Sequence, residues 1–129
     1  MQSKRKNPAV YFEIPVEDMQ RAIHFYHTLF SFTFEREQLD GYEMAFFPLD
    51  EQLPGITGAL AQGDVYIPSK NGAILYFHVD DIDDSLNKAK ELKAEILYPK
   101  TLNTAYGFAV TEIADSEGNR IALKQSLRD

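Results

Sequence analysis

The chain of 129 residues contains no cysteine and carries few positive charges. Without cysteine it cannot form disulfides, thiolate zinc sites, iron–sulfur clusters or a cysteine nucleophile, and this composition suits a reducing compartment. Thirteen Lys and Arg residues against 20 Asp and Glu residues give a net charge of −7. Because an acidic surface repels phosphate backbones, we expect no nucleic-acid partner. No apolar run reaches the length of a membrane span, so we expect a cytoplasmic protein without a membrane partner.

The chain also contains an internal copy of itself. Residues 11–19 align with residues 74–82, and we call the constant spacing between these two segments the repeat offset. The apolar positions that follow keep the repeat offset, as when Leu29 meets Leu92. Each copy reads as a strand, an acidic helix cap, an amphipathic helix and further strands. The offset is too long for a solenoid repeat, so duplication of one supersecondary module is the better interpretation.

The local patterns predict the elements of each copy. In the first copy we predict strand 9–16, a helix capped by Asp18, a strand from Phe32, a hairpin turn at Asp40-Gly41, strand 42–47, a loop at 48–55 and strand 56–62. In the second copy we predict strand 73–79, helix 82–93 capped by Asp81, strand 95–98, a loop at 99–107, strand 108–114 and strand 120–125.

These elements predict an α+β fold in which two βαβββ modules pair into an incomplete barrel around a cavity, because neither half could cover both faces of its sheet alone. We expect an N-terminal tail over residues 1–8, in which Lys4, Arg5 and Lys6 are solvated. A single domain then covers 9–129. Its parts are module one (9–62), a linker (63–72) and module two (73–126).

The duplicated order and two segments, 16–26 (VEDMQRAIHFY) and 114–123 (ADSEGNRIAL), resemble the vicinal oxygen chelate superfamily. That superfamily includes glyoxalase I, bleomycin-resistance proteins and extradiol dioxygenases, and the resemblance covers about residues 9–125. Residues 56–61, 99–101 and 106–109 look most like the small stand-alone glyoxalase-related proteins. The resemblance is specific for the fold and weak for the reaction, because one scaffold hosts many chemistries.

The resemblance also implies where a divalent metal ion would bind, since the family's ligands come from the first and last strands of each module. The corresponding positions here are Tyr11, Ile74 and Ala122, with a fourth position somewhere within residues 57–62. Only Gln62 in that stretch could act as a ligand. Because cations need several N or O ligands, we expect no metal and no cofactor. A weaker alternative is that Tyr11 and Gln62 help to recruit a metal ion.

Strand alternation assigns faces independently of the family. The apolar sets (Phe12, Ile14 and Val16; Leu75, Phe77 and Val79; Ile121 and Leu123) should pack beneath the helices. The opposite faces should line the cavity with Tyr11, Glu13 and Pro15; Ile74, Tyr76 and His78; Arg120, Ala122 and Lys124. Tyr106 and Phe108, beside a loop, could gate this aromatic pocket. Which alternate set of strand 42–47 faces the cavity is left open.

Glu13 and His78 are the candidate catalytic residues, assigned to corresponding positions of the two copies. As an acid/base pair, either group could remove a proton near neutral pH. The structural alternative, which we favour, is that Glu13 bonds Lys124 or Arg120 while His78 bonds a backbone carbonyl.

The sequence therefore favours a metal-free, glyoxalase/bleomycin-resistance-like protein that binds a small apolar or aromatic molecule in the cavity between the modules. Whether it is an enzyme is undecided. The alternatives are a lyase or isomerase that uses Glu13 or His78, and a metal-dependent glyoxalase- or dioxygenase-type enzyme. The resemblance also favours a homodimer.

Overall fold

The protein is described by a computed structural model that covers residues 7–128. The basic residues Lys4, Arg5 and Lys6 lie outside the described part. The elements follow in the order β1 (Phe12–Val16), α1 (Met19–Phe30), β2 (Glu35–Leu39), β3 (Tyr42–Phe46), β4 (Gly58–Gln62), β5 (Leu75–His78), α2 (Ile82–Glu91), β6 (Ile96–Asn103), β7 (Phe108–Ala114) and β8 (Arg120–Ser126). This is the predicted βαβββ order, present twice.

Both helices begin where the sequence predicts. The Asp18 side chain accepts a hydrogen bond from the Arg21 N–H at the start of α1. Asp81 accepts from the Asp83 and Asp84 N–H groups at the start of α2. A carboxylate at this position bonds amides that have no partner within the helix and also faces the positive end of the helix dipole.

Each module forms a four-stranded sheet with the same strand order, β1-β4-β3-β2 in one and β5-β8-β7-β6 in the other. The first and last strands of each module pair in parallel, and the other neighbours are antiparallel. Asp40 and Gly41 connect β2 and β3 with φ values of 53° and 83°, the left-handed conformation that a tight hairpin requires. β1 and β5 therefore lie at sheet edges, and the two sheets do not close into a barrel.

Three predicted strand boundaries are wrong by three residues or more, and the first of them is the start of β1, which lies at Phe12 and not at residue 9. β2 begins at Glu35 because Phe32 and Phe34, taken as its first residues, instead pack against the core. β6 extends to Asn103, across the residues predicted to form a loop after Pro99. β6 is an edge strand with two register irregularities, and proline is tolerated there because one edge of the strand needs no amide donor.

One core lies between the sheets and the helices, and it contains the predicted apolar faces. Ile14, Val16, Val79, Ile121 and Leu123 are buried in it, and the half-exposed members of these sets pack against it. No helix within residues 7–128 is long and apolar enough to cross a membrane.

Candidate functional site

The faces of the two sheets that point away from the helices form what we call the concave surface. In β1 this face carries Glu13 and Pro15, which pair with Ala59 and Ala61 of β4. In β5 and β8 it carries Tyr76 and His78, which pair with Ala122 and Lys124. The surface therefore draws on both modules.

The structure also settles the open question about β3. Met44 pairs with Ala61 and Phe46 with Ala59, so these residues and Tyr42 share the concave face. They form a small apolar cluster, separate from the main core, against which Tyr66 packs. The neighbouring residues Ala45 and Phe47 belong to the main core on the other face.

The strand registers identify the fourth position of the family's metal site. Phe12 pairs with Gly58 in module one, and Leu75 pairs with Ile121 in module two. The two pairs are related by the repeat offset, so Ala122 corresponds to Ala59. Tyr11, Ala59, Ile74 and Ala122 together offer one phenol oxygen, which does not meet the ligand needs of a zinc or other divalent ion.

Two further observations bear on metal binding. The Gln62 Oε1 accepts a hydrogen bond from the Met19 N–H at 2.9 Å, so this amide caps α1 instead of pointing into the concave surface. Within residues 7–128, no group of three or more His, Cys, Asp or Glu side chains is placed to hold a metal ion. The donor set of the described residues therefore does not fit the metal that the fold family implies.

Glu13 forms the polar centre of module one's concave face. Its carboxylate accepts hydrogen bonds from the Tyr11 hydroxyl at 3.1 Å and from the Tyr66 hydroxyl at 2.9 Å. Partial burial, together with the bond and charge of Glu13, raises the pKa of Tyr11 to about 12. The same carboxylate raises the pKa of Tyr66, so both phenols stay protonated donors at neutral pH.

Tyr66 is a site residue that the sequence did not reveal. It lies in the segment between β4 and β5, whose Gly, Pro and Asn content indicates only a linker. Its ring packs edge-to-face on Tyr42 with centroids 5.4 Å apart, and the Tyr42 hydroxyl donates to Asp64. The charge of Asp64 raises the pKa of Tyr42. The linker thus adds an aromatic ring and a carboxylate to the concave surface.

Module two contributes a different set of charges. Arg120 Nε forms an ion pair with Glu112 across β7 and β8. The Lys124 ammonium lies over the Phe108 ring, 4.7 Å from its centroid, in a cation–π contact. Both cations therefore have partners within module two, and neither bonds Glu13 as the structural alternative predicted.

His78 and Glu13 are not brought together as an acid/base pair in this structure. The His78 Nε2 lies 2.9 Å from Asp80 Oδ1, so the predicted bond to a backbone carbonyl is wrong. By the repeat offset, the counterpart of Glu13 is Tyr76 and that of His78 is Pro15. The assignment of Glu13 and His78 to corresponding positions is therefore also wrong.

The remaining predicted ligand-binding residues differ in exposure. Tyr11, Tyr76 and Ile74 are 46%, 57% and 36% exposed, so each presents apolar surface to solvent. Ala122 is fully buried beneath its neighbours. Tyr106 lies in the turn between β6 and β7 and is 77% exposed.

The turn between β7 and β8 fastens the two modules together. Glu117 accepts hydrogen bonds from the Glu17 and Asp18 N–H groups, both at 2.9 Å, and pairs with Arg21 at 2.8 Å. Burial opposes ionisation of Glu117, but the bonds from Arg21, Asp18, Ser116 and Glu17 outweigh it and lower its pKa to about 2. This contact ties the β7–β8 turn of module two to the start of α1 in module one.

A second polar contact joins the modules inside the core. The hydroxyl of Tyr26, which is fully buried, donates to Asp115 Oδ2 at 2.6 Å. Asn119 donates both to Asp115 and, at 2.7 Å, to the Pro15 carbonyl. Burial raises the pKa of Asp115 and, with the charge of Asp115, that of Tyr26. Because its oxygens are satisfied, the carboxylate can stay in the interior.

Comparisons with known proteins agree with this architecture. The family model described as Glyoxalase/Bleomycin resistance protein/Dioxygenase superfamily matches residues 9–123. A glyoxalase family protein from Bacillus cereus is 19% identical with a TM-score of 0.74, and the match covers 99% of this chain and 100% of that one. The antibiotic binding protein TnmS3 from Streptomyces sp. CB03234 is 20% identical with a TM-score of 0.65, covering 95% and 99%. Leishmania major glyoxalase I is 17% identical with a TM-score of 0.70, covering 93% and 87%. A comparison with curated protein sequences finds no match.

Proposed function

Because the chain belongs to the glyoxalase/bleomycin resistance protein/dioxygenase superfamily, we propose that its concave surface binds a small organic molecule without a metal ion. One observation carries the proposal. The positions at which the family's enzymes hold a metal are occupied here by Tyr11, Ala59, Ile74 and Ala122, so the surface has apolar and phenolic groups in place of ligands. Such a surface supports binding more readily than Lewis-acid catalysis.

The composition of the surface indicates the kind of ligand. Five of the chain's seven tyrosines belong to the concave surface or its margin: Tyr11, Tyr42, Tyr66, Tyr76 and Tyr98. Aromatic rings with hydroxyl groups bury apolar area and also donate hydrogen bonds, which suits an aromatic molecule with polar substituents. Within residues 7–128, Arg120 and Lys124 are engaged in module two, while Glu13 and Asp64 form side-chain hydrogen bonds only with phenols, so a positively charged substituent fits module one best.

The same contacts argue against proton abstraction by Glu13. Each Glu13 oxygen accepts one phenol hydrogen bond, which fixes the carboxylate between Tyr11 and Tyr66 and leaves at most one lone pair on each oxygen for a substrate. We therefore assign Glu13 to ligand recognition and to holding Tyr11 and Tyr66 in place. TnmS3, an antibiotic binding protein, offers a precedent for binding on this fold.

The proposal is tested with bleomycin and a panel of cationic aromatic compounds in buffer that contains a metal chelator. Binding is followed by NMR of the tyrosine ring Cζ carbons. We expect saturable shifts at Tyr11, Tyr66 and Tyr76, no shift at Tyr106 in the exposed turn between β6 and β7, and weaker binding by Glu13→Gln. Shifts that require an added metal ion, or equal effects on all tyrosines, would contradict the proposal.

A further inference from the structure

The internal repeat is broken at one place, the turn before the last strand of each module. In module two this turn bonds module one through Asp115, Glu117 and Asn119. The residues that correspond by the repeat offset are Gln52, Pro54 and Ile56. Within residues 7–128, none of these three side chains donates or accepts a hydrogen bond. The loop of module one therefore lacks the hydrogen bonds that attach the corresponding turn of module two to the other module.

Beneath this loop lies an apolar groove of about 590 Å³ beside β5, lined by Phe12 of β1 and by residues from both faces of β5. Its floor is made by Phe12, Phe32, Phe47 and Phe77. Phe12 packs edge-to-face on Phe47 and Phe77, with centroids 5.3 and 6.1 Å apart, and all four rings belong to or pack against the main core. The floor is thus preformed, and Leu49, Leu53 and Ile56 of the loop form the opposite wall.

The groove runs along the free edge of β5, since all four residues of that strand line it. The Val79 N–H donates to the Lys124 carbonyl, so strand alternation turns the main-chain groups of His78 away from β8. Its counterpart Pro15 has no N–H, and its carbonyl is bonded by Asn119. Because Ile56 replaces Asn119 in module one, no side chain among the described residues 7–128 bonds the His78 N–H or C=O, and both groups are available to a ligand.

We propose that this groove is a second binding site, which takes a neutral apolar molecule carrying one aromatic amine or amide group for the main chain of His78. The volume falls in the range of small-molecule sites, about 300–1,000 Å³. A charged ligand would lose its hydration against four phenylalanine rings, so the ligand is neutral. Among residues 7–128, the groove lining contains two ionisable side chains apart from the phenol of Tyr76, those of Asp50 and His78.

A small molecule fits the groove better than a second copy of the chain. Leu49, Leu53 and Ile56 are 66%, 64% and 45% exposed, and all three line the groove. Their apolar surface is thus gathered around one cavity. A stable dimer would instead need a broad face of about 800 Å² on each partner.

The test uses N-phenyl-1-naphthylamine, a neutral dye with one N–H whose fluorescence rises in apolar sites, and its methylene analogue 1-benzylnaphthalene as competitor. Leu53→Asp places a charge in the groove wall, and Leu102→Asp changes a similarly exposed leucine, 57% exposed, on β6. Circular dichroism confirms that both variants fold, and light scattering reports the oligomeric state.

We expect saturable dye binding with one site per chain. Leu53→Asp should weaken it by at least about tenfold, because a charge replaces an apolar contact, while Leu102→Asp leaves it unchanged. The methylene analogue should bind about 2- to 12-fold more weakly, the effect of one hydrogen bond. Glu13→Gln should not alter dye binding, because Glu13 does not line the groove, and this separates the groove from the part of the concave surface around Glu13. The proposal would be overturned if dye binding were not saturable, or if both leucine variants lost it equally. It would also be overturned if Leu53→Asp changed the oligomeric state but left dye binding unchanged.

Discussion

Gln62 and Gln125 are related by the repeat offset and perform the same structural task. The Oε1 of Gln62 accepts from the Met19 N–H and that of Gln125 from the Ile82 N–H, both at 2.9 Å. Met19 and Ile82 are the first residues of the two helices, whose amides have no partner within the helix. The last strand of each module thus caps the helix of the same module.

Because the two glutamines perform the same task, their substitution should destabilise the protein equally. Gln62→Leu and Gln125→Leu should each lower the free energy of unfolding by about 1 kcal/mol, because each leaves one helix-terminal amide without its acceptor. Urea unfolding measures both, with Gln38→Leu on the exposed strand β2 as the control. A large cost at one glutamine and none at the other would contradict the structural equivalence.

Glu117 should make the free energy of unfolding depend on pH in the acidic range. Its pKa is lowered from 4.5 to about 2 in the folded protein, so the stabilisation is complete above pH 4.5 and is lost as the pH falls towards 2. Glu117→Gln should therefore flatten the stability profile in that range and cost about 1–2 kcal/mol at neutral pH, since Arg21 is half exposed.

Urea unfolding across this pH range measures the difference, and Glu37→Gln on β2 is the matched exposed control. If the Glu117→Gln profile remained parallel to that of the unchanged protein, the contact between the turn and α1 would not be present in solution.

Removal of the buried Tyr26 hydroxyl should destabilise the fold. Tyr26→Phe leaves the Asp115 carboxylate buried without its bond at 2.6 Å, with an expected cost of about 1–3 kcal/mol. Tyr106→Phe, in an exposed turn, should change the unfolding free energy little. In a double-mutant cycle with Asp115→Asn, additive costs would show that the two side chains do not interact.

The phenols around Glu13 should report its charge. Glu13→Gln should lower the pKa of Tyr11 from about 12 towards 10, but not fully, because burial also raises it. Tyr66 should shift in the same direction. Tyr42 serves as an internal control, since its pKa is raised chiefly by Asp64. Titration of the tyrosine Cζ carbons measures all three, and an unchanged Tyr11 would show that its bond to Glu13 is absent.

Much of the fold follows from patterns within short segments. The repeat, the capping residues Asp18 and Asp81, and the alternation in β1, β5 and β8 are local features, and the structure confirms what they predict. The extension of β6 through Pro99 could not be predicted in this way. It depends on β6 lying at a sheet edge, which is a property of the assembled sheet.

The candidate site was less accessible to sequence reasoning. Tyr66 bonds Glu13, and Glu117 bonds Arg21. In each pair the two residues are far apart in the chain, and no local sequence pattern around either of them indicates the contact. The partners of Arg120 and His78 were likewise wrong, because each bonds a nearer carboxylate, Glu112 or Asp80. Strand alternation assigns a side chain to a face but does not identify which neighbour on that face it bonds.

The central claim is that the concave surface has lost its metal ligands. The most direct measurement is metal content by mass spectrometry after the protein is incubated with excess zinc, nickel, iron(II) and manganese and then desalted. The claim predicts far less than one ion per chain for every metal, because Tyr11, Ala59, Ile74 and Ala122 supply a single phenol. One tightly held ion per chain, lost with Tyr11→Phe, would contradict it.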